Sequence, residues 1–284
     1  VTDPGPADLV ERRAALLAAR PANGSPEAAE LEAVTAELRE ALGSGEPTVR
    51  VLSPSEDLVV RLGMRDPVNP PSGPEDLARR VAADRRVLIV EYPALPGRPL
   101  NVVWVALCRG TPAHLQPLLD PDGEVLDPSA ADTATYYSIW NAEPGLEGLG
   151  RGRQLIESAV ALLGDELPGL VTHVTLSPLP GFRSWLSPRG PQRPPDADLV
   201  RLATRYLTSL DDRGRPIDPV ARFHLGNGAR LWRINVGADS SELGRLRSWG
   251  VMANYRYVPE DRAANRAELA AGRVPTAPAL APPP

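Results

Sequence analysis

The chain has 284 residues and no lysine: all 31 of its basic residues are arginine. Without a lysine amine there is no Schiff base to a substrate or to pyridoxal phosphate, and no lysine-dependent phosphate loop. Cysteine is nearly absent too. Cys108 alone excludes an internal disulfide and a cysteine-rich zinc site. Only three histidines, His114, His173 and His224, are available for imidazole chemistry. None falls in a metal-ligand spacing such as H-E-x-x-H. No apolar run reaches the ~18 residues of a membrane span. The opening Val1-Thr2-Asp3-Pro4 shows no basic-then-apolar secretory signal, so the expected compartment is cytoplasmic. A net charge of -5 argues against a general nucleic-acid partner.

Proline is abundant, with 33 residues against a usual share of ~5%. Together with the choice of arginine over lysine, this is codon bias and carries no function. Ala7–Arg20 and Pro26–Leu42 have the periodicity of two amphipathic helices, with Ser25-Pro26 as a start and Gly43 as a stop. Two helices cannot bury both their apolar faces alone. They pack on the rest of the chain or on a second subunit, which would make a homo-oligomer. Ser72–Ala83 reads as a short helix. Arg86–Tyr92 and Leu100–Cys108 read as strands buried on both faces, joined by Pro93–Pro99. A helical stretch at Pro112–Leu119 precedes a strand at Thr135–Asn141. A glycine-rich turn at Gly145–Gly152, a helix at Arg153–Leu163 and a strand at Leu170–Leu176 follow. Further on come a helix over Pro195–Leu210, a short helix or turn at Pro219–Leu225, strands at Leu231–Val236 and Val251–Val258, and a helix over Pro259–Gly272. Pro275–Pro284 is expected to be a disordered tail. This order predicts an α+β or α/β domain with a mixed sheet.

Three segments carry chemistry-bearing residues. Glu147-Gly148-Leu149-Gly150-Arg151-Gly152, followed by Arg153, joins a strand to a helix. Glycines allow close backbone approach, and a helix N-terminus offers unpaired N–H groups to an anion such as a pyrophosphate. The bland alternative is an ordinary strand-to-helix turn. The spacing is not the dinucleotide fingerprint, but it is similar to the Q/R-x-x-G-x-G/A loop of GNAT-type acyl-CoA-binding folds, with Glu147 in the first position. Ser177, in Leu176-Ser177-Pro178-Leu179-Pro180-Gly181-Phe182, follows a strand end where the backbone is stiffened. It is either a catalytic hydroxyl or a turn residue, and it is not in a G-x-S-x-G elbow. His224, in Phe223-His224-Leu225-Gly226-Asn227-Gly228-Ala229, is either a core histidine or a proton donor or acceptor. His173, inside a strand, and His114, near a helix start, read as structural and exposed respectively.

Taken together, these segments resemble the malonyl-CoA decarboxylase family. The resemblance is carried by Asp66-Pro67-Val68-Asn69-Pro70, Asp84-Arg85-Arg86, Tyr92-Pro93-Ala94-Leu95-Pro96, Val105-Ala106-Leu107 and Tyr136-Tyr137-Ser138-Ile139. It continues through Gly145–Gly150, Leu176–Phe182, Asp218–Ala229, Leu231-Trp232-Arg233-Ile234-Asn235 and Met252-Ala253-Asn254-Tyr255-Arg256-Tyr257. It implies a short helical segment at 1–63, a GNAT-like catalytic domain at 64–274 and a tail at 275–284. It further implies that Ser177 and His224 form the catalytic pair, that Glu147, Gly148, Leu149, Gly150, Arg151, Gly152 and Arg153 hold the pyrophosphate of coenzyme A, and that Asn254 and Tyr257 line or support the site. In the family a larger helical region precedes this domain and makes oligomer contacts. Some members also carry an acid where this chain has Gly150.

The implied reaction converts malonyl-CoA to acetyl-CoA and CO₂ through a thioester enolate protonated at C2. No cofactor is expected, because coenzyme A enters as part of the substrate and its thioester carbonyl is the electron sink. His224 would be the proton donor, since imidazole titrates near neutral pH. Other activities open to the same residues are a GNAT-type acyltransferase, a decarboxylase of methylmalonyl-CoA or malonyl-acyl-carrier-protein, and a non-catalytic CoA-binding protein.

Overall fold

The structure, a computed structural model, describes residues 4–43, 45–149, 153–186 and 192–280. Its strands are β1 (Thr48–Val51), β2 (Arg85–Glu91), β3 (Asn101–Cys108), β4 (Thr133–Asn141), β5 (Thr172–Thr175), β6 (Ser177–Pro178), β7 (Arg230–Asn235) and β8 (Met252–Tyr257). Its helices are α1 (Pro6–Ala19), α2 (Pro26–Leu42), α3 (Asp57–Gly63), α4 (Pro74–Arg79), α5 (Gln116–Leu119) and α6 (Arg153–Glu166). They continue with α7 (Phe182–Leu186), α8 (Asp196–Thr208), α9 (Pro219–Gly226), α10 (Glu242–Ser248) and α11 (Arg262–Ala270).

The chain divides into two compact units. The first comprises Val1–Ser72, Arg86–Trp104 and Ser138–Ala159; the second comprises Gly73–Arg85, Val105–Tyr137 and Val160–Pro284. The division runs through β3 and β4, and the first two helices fall in the first unit. Ser25 caps α2 by accepting from the Ala28 N–H at 3.2 Å, with Pro26 in the first turn. Helix α1 then packs on α2 and on the 3-10 turn Pro144–Leu146, burying Leu9, Val10, Val34, Leu38 and Leu42. The helical hairpin thus finds its apolar partner within this chain. Gly145 permits the contact: a Cβ there would sit 2.0 Å from the Val10 carbonyl oxygen, so any larger residue would push α1 away.

In the first unit β1 pairs antiparallel with β2, and β3 lies beside β2. Strand β3 is buried along all but its last residue, as its unbroken apolar run predicts. In the second unit β5 pairs parallel with β4 and antiparallel with β8, which also pairs antiparallel with β6 and β7. The sheet is mixed, as expected. The helices expected at Ser72–Ala83 and Pro112–Leu119 are shorter, at Pro74–Arg79 and Gln116–Leu119. Elements of a few residues, β1, β6, α3 and α7 among them, have no counterpart in the sequence expectations, because so short a stretch shows no period.

The expected tail needs correcting. The Leu231 N–H donates to the Pro275 carbonyl at 2.9 Å, and the Ala277 N–H donates to the Leu231 carbonyl at 2.8 Å. Thr276 forms a parallel bridge to Leu231. The backbone of β7 offers unpaired groups that this segment satisfies, so residues 275–280 are part of the second unit. Residues 281–284 lie outside the described residues. Among those described, no helix is long and apolar enough to cross a membrane.

Candidate active site

Strand alternation gathers the candidate residues of the second unit on one face of its sheet. Cross-strand partners share a face, and so do residues two apart on one strand. Ser177 pairs with Ala253, His173 with Tyr257, and Thr175 with Tyr136. Tyr136, His173, Thr175, Ser177, Tyr255 and Tyr257 therefore point the same way. Asn254 points to the other.

Helix α9 brings His224 to that polar face. Buried Asp218 caps the helix, accepting from the Ala221 N–H at 2.8 Å and from the Tyr206 hydroxyl at 2.9 Å. Burial raises the Asp218 pKa. At the other end, Gly228 takes φ of 85° in the turn after the helix, where a Cβ would lie 3.1 Å from the Arg262 backbone. The Asn-Gly pair after His224 is therefore the end of a helix that presents the ring at a fixed height over the sheet.

The ring is gripped on both nitrogens. His224 Nε2 lies 3.1 Å from Ser177 Oγ, and Nδ1 lies 2.8 Å from the Tyr257 hydroxyl. Its face stacks on Tyr255, with centroids 4.7 Å apart. The Ser177 hydroxyl donates to Thr175 Oγ1 at 2.9 Å. His224 is only 3% exposed and Ser177 only 5%. Burial lowers the His224 pKa from 6.5 to about 3, so the ring is neutral at neutral pH. This corrects one premise drawn from sequence: His224 is not an imidazole titrating near neutrality, and any proton it gives must come from the neutral N–H.

Four candidate residues lie in this unit. Ser177, His224 and Tyr257 come together. Asn254 touches none of them: its Nδ2 donates to the Thr175 carbonyl at 2.6 Å, and its Oδ1 accepts from Asn235 Nδ2 at 2.8 Å and Arg233 Nε at 2.9 Å. It holds the strand, not the ring. Thr175 is not among the sequence candidates, because only the pairing of β5 and β6 with β8 puts it beside Ser177. His173 is structural as expected, buried against the Tyr136 hydroxyl at 3.0 Å, and His114 is exposed.

The glycine-rich segment belongs to the first unit. Glu147 is exposed, and Gly148 takes φ of 75°. The Leu149 N–H donates to the Leu146 carbonyl at 3.1 Å, and the Leu149 carbonyl accepts from the Tyr92 hydroxyl at 3.3 Å. Gly150, Arg151 and Gly152 lie outside the described residues, as does the side chain of Arg153, whose backbone opens α6. The segment is pinned by a residue that no sequence signal marks. Buried Arg13 of α1 donates through Nη1 to the carbonyls of Gly145 at 2.7 Å and Glu147 at 2.9 Å, and through Nε to Thr35 Oγ1 at 2.9 Å. Arg13→Met is expected to destabilise the protein by about 2–4 kcal/mol, because it leaves buried carbonyls without their charged donor. Urea unfolding at pH 7.5 checks this; an unchanged midpoint overturns it.

The family model for the malonyl-CoA decarboxylase C-terminal domain matches residues 65–196 and 192–281. The mitochondrial malonyl-CoA decarboxylase of Anser anser anser is 33% identical in an alignment 265 positions long that covers 76% of this chain and 52% of that protein. The chain thus spans about half the length of the curated relatives it matches. A crystal structure of malonyl-CoA decarboxylase from Rhodopseudomonas palustris superposes with a TM-score of 0.86 at 34% identity, covering 97% of this chain and 75% of that one. The loading GNATL domain of CurA from Lyngbya majuscula, at 17% identity and a TM-score of 0.52, covers 74% of this chain and 96% of that domain, and shows that the fold is GNAT-like. By family model, sequence and fold, this chain belongs to the malonyl-CoA decarboxylase family.

Proposed function

We propose that this chain decarboxylates malonyl-CoA to acetyl-CoA and CO₂. The observation that carries the reading is the Tyr257–His224–Ser177 chain on a buried sheet face in a member of this family. The bond from C2 to the carboxylate breaks, and its electron pair moves into the thioester, making an enolate as CO₂ leaves. A proton then goes to C2. The protein must hold the carboxylate out of the thioester plane, stabilise the enolate oxygen and deliver that proton. Ser177 gives its proton to C2, His224 Nε2, 3.1 Å away, returns one to the serine as Tyr257, 2.8 Å from Nδ1, gives its own to the ring, and solvent restores the tyrosine proton before the next turnover. Glu147–Arg153 takes the coenzyme A pyrophosphate on backbone N–H groups and arginine charge. No further cofactor is needed, because the thioester itself accepts the electrons.

Incubation with malonyl-CoA and no acceptor, read by mass spectrometry, tests this. Acetyl-CoA and CO₂ are expected. Product only when an amine is supplied overturns the reading in favour of an acyltransferase. Turnover of only methylmalonyl-CoA or malonyl-acyl-carrier-protein overturns the substrate. Binding of coenzyme A without turnover of any of the three overturns catalysis.

A further inference from the structure

Thr175 is wholly buried and fixed at both ends. Its carbonyl accepts from Asn254 Nδ2 at 2.6 Å, and its Oγ1 accepts from the Tyr255 N–H at 3.1 Å. The same oxygen accepts from the Ser177 hydroxyl at 2.9 Å. A serine hydroxyl has one proton. With that proton committed to Thr175, Ser177 turns lone pairs toward His224 Nε2, 3.1 Å away. Two acceptors cannot share that contact, so the ring proton must lie on Nε2. Nδ1 is then the acceptor, and the Tyr257 hydroxyl donates to it at 2.8 Å.

We propose that Thr175 is a positioning residue that sets the direction of this hydrogen-bond chain, Tyr257 to His224 to Ser177 to Thr175, and thereby the tautomer of His224. The direction matters chemically. In a nucleophilic Ser-His pair the serine gives its proton to Nε2. Here the serine proton points away from the ring, so the pair is poised to donate, which suits protonation of an enolate and not attack on a thioester. That consequence rests on the proposed decarboxylation; the tautomer itself does not.

Thr175→Val keeps the shape and removes the acceptor. The Ser177 hydroxyl then finds Nε2 as its acceptor, and the ring moves to the Nδ1–H form, donating to Tyr257. Thr175→Ser restores the acceptor. The test reads imidazole ¹⁵N shifts at pH 7.5 without substrate, with His224 assigned among the three histidines by comparison with His224→Gln. The expected result is Nε2–H in the wild-type protein and Thr175→Ser, and Nδ1–H in Thr175→Val. With malonyl-CoA, Thr175→Val is expected to lose about 100-fold in kcat, as misdirected catalytic histidines do, with KM held and Thr175→Ser close to wild type. An Nδ1–H ring in the wild-type protein, or an Nε2–H ring in Thr175→Val, overturns the proposal. If Thr175→Val does not fold, the wild-type tautomer decides alone. Wild-type protein with the Nε2–H ring but no decarboxylation would overturn the functional reading and leave this one standing.

Discussion

His224→Ala is expected to lower kcat for malonyl-CoA decarboxylation about 1000-fold while leaving the coenzyme A dissociation constant nearly unchanged. The ring is the middle member of the chain that runs from Tyr257 to Ser177, and no other imidazole can replace it: His173 is held by Tyr136, and His114 is exposed. Without it, Ser177 loses the group that would return its proton after each turnover. Coenzyme A affinity should survive, because the segment proposed for the pyrophosphate is a different one, pinned by Arg13. The pH profile sharpens the test. Burial holds the ring neutral down to about pH 3, so the wild-type profile should show no limb near 6.5 from this histidine. Near-normal turnover in His224→Ala, measured as acetyl-CoA formed, would sink the assignment. Loss of coenzyme A binding equal to the loss of turnover would show that the residue supports the fold and not the chemistry.

The long apolar strands and periodic helices were legible because each carries its pattern within its own segment. The runs at 87–90 and 102–107 and the repeats behind α1 and α2 need no distant partner to declare their type. The neighbours of Ser177 and His224 leave each open between a structural and a chemical role, and only the resemblance to the malonyl-CoA decarboxylase family joins them as a pair. What the sequence withheld depends on register. Thr175 matters only because β5 and β6 lie against β8 so that Thr175, Ser177 and Tyr257 share a face. Arg13 matters only because α1 lies on a turn more than a hundred residues away. The neutral state of His224 has the same origin, since an isolated imidazole titrates near 6.5 and its burial, stacked on Tyr255, moves it down. Burial is a property of the assembled sheet, which no local pattern of residues encodes.

Acid is expected to unfold this protein earlier than its carboxylates would. In the folded state burial lowers His173 to about 4 and His224 to about 3, from 6.5. Below pH 6.5 the unfolded chain therefore binds protons that the folded chain refuses, and stability falls as pH falls. The contribution is complete above 6.5 and is lost progressively toward 4 and then 3. Carboxylates held below their ordinary values, such as Asp84 beside Arg79 and Arg85, act only below the usual 3.8. Buried Asp218 has the opposite sign, because its raised pKa favours the protonated folded form as acid is added. From 6.5 downward the two histidines lower stability, while Asp218 opposes them wherever its raised carboxyl takes up a proton in the folded state. Each buried neutral ring contributes a slope of about 1.4 kcal/mol per pH unit, so the pair gives roughly 2–3 kcal/mol per unit. Urea unfolding at pH 7.5, 6.0 and 5.0 measures it. His173→Gln, which keeps a hydrogen-bonding group beside Tyr136, should remove about half of the slope. A stability that stays level between pH 6.5 and 5.0 in the wild-type protein and in Asp218→Asn alike would mean that the rings take up protons in the folded state. The neutral Nε2–H donor assigned to His224 would then be wrong as well.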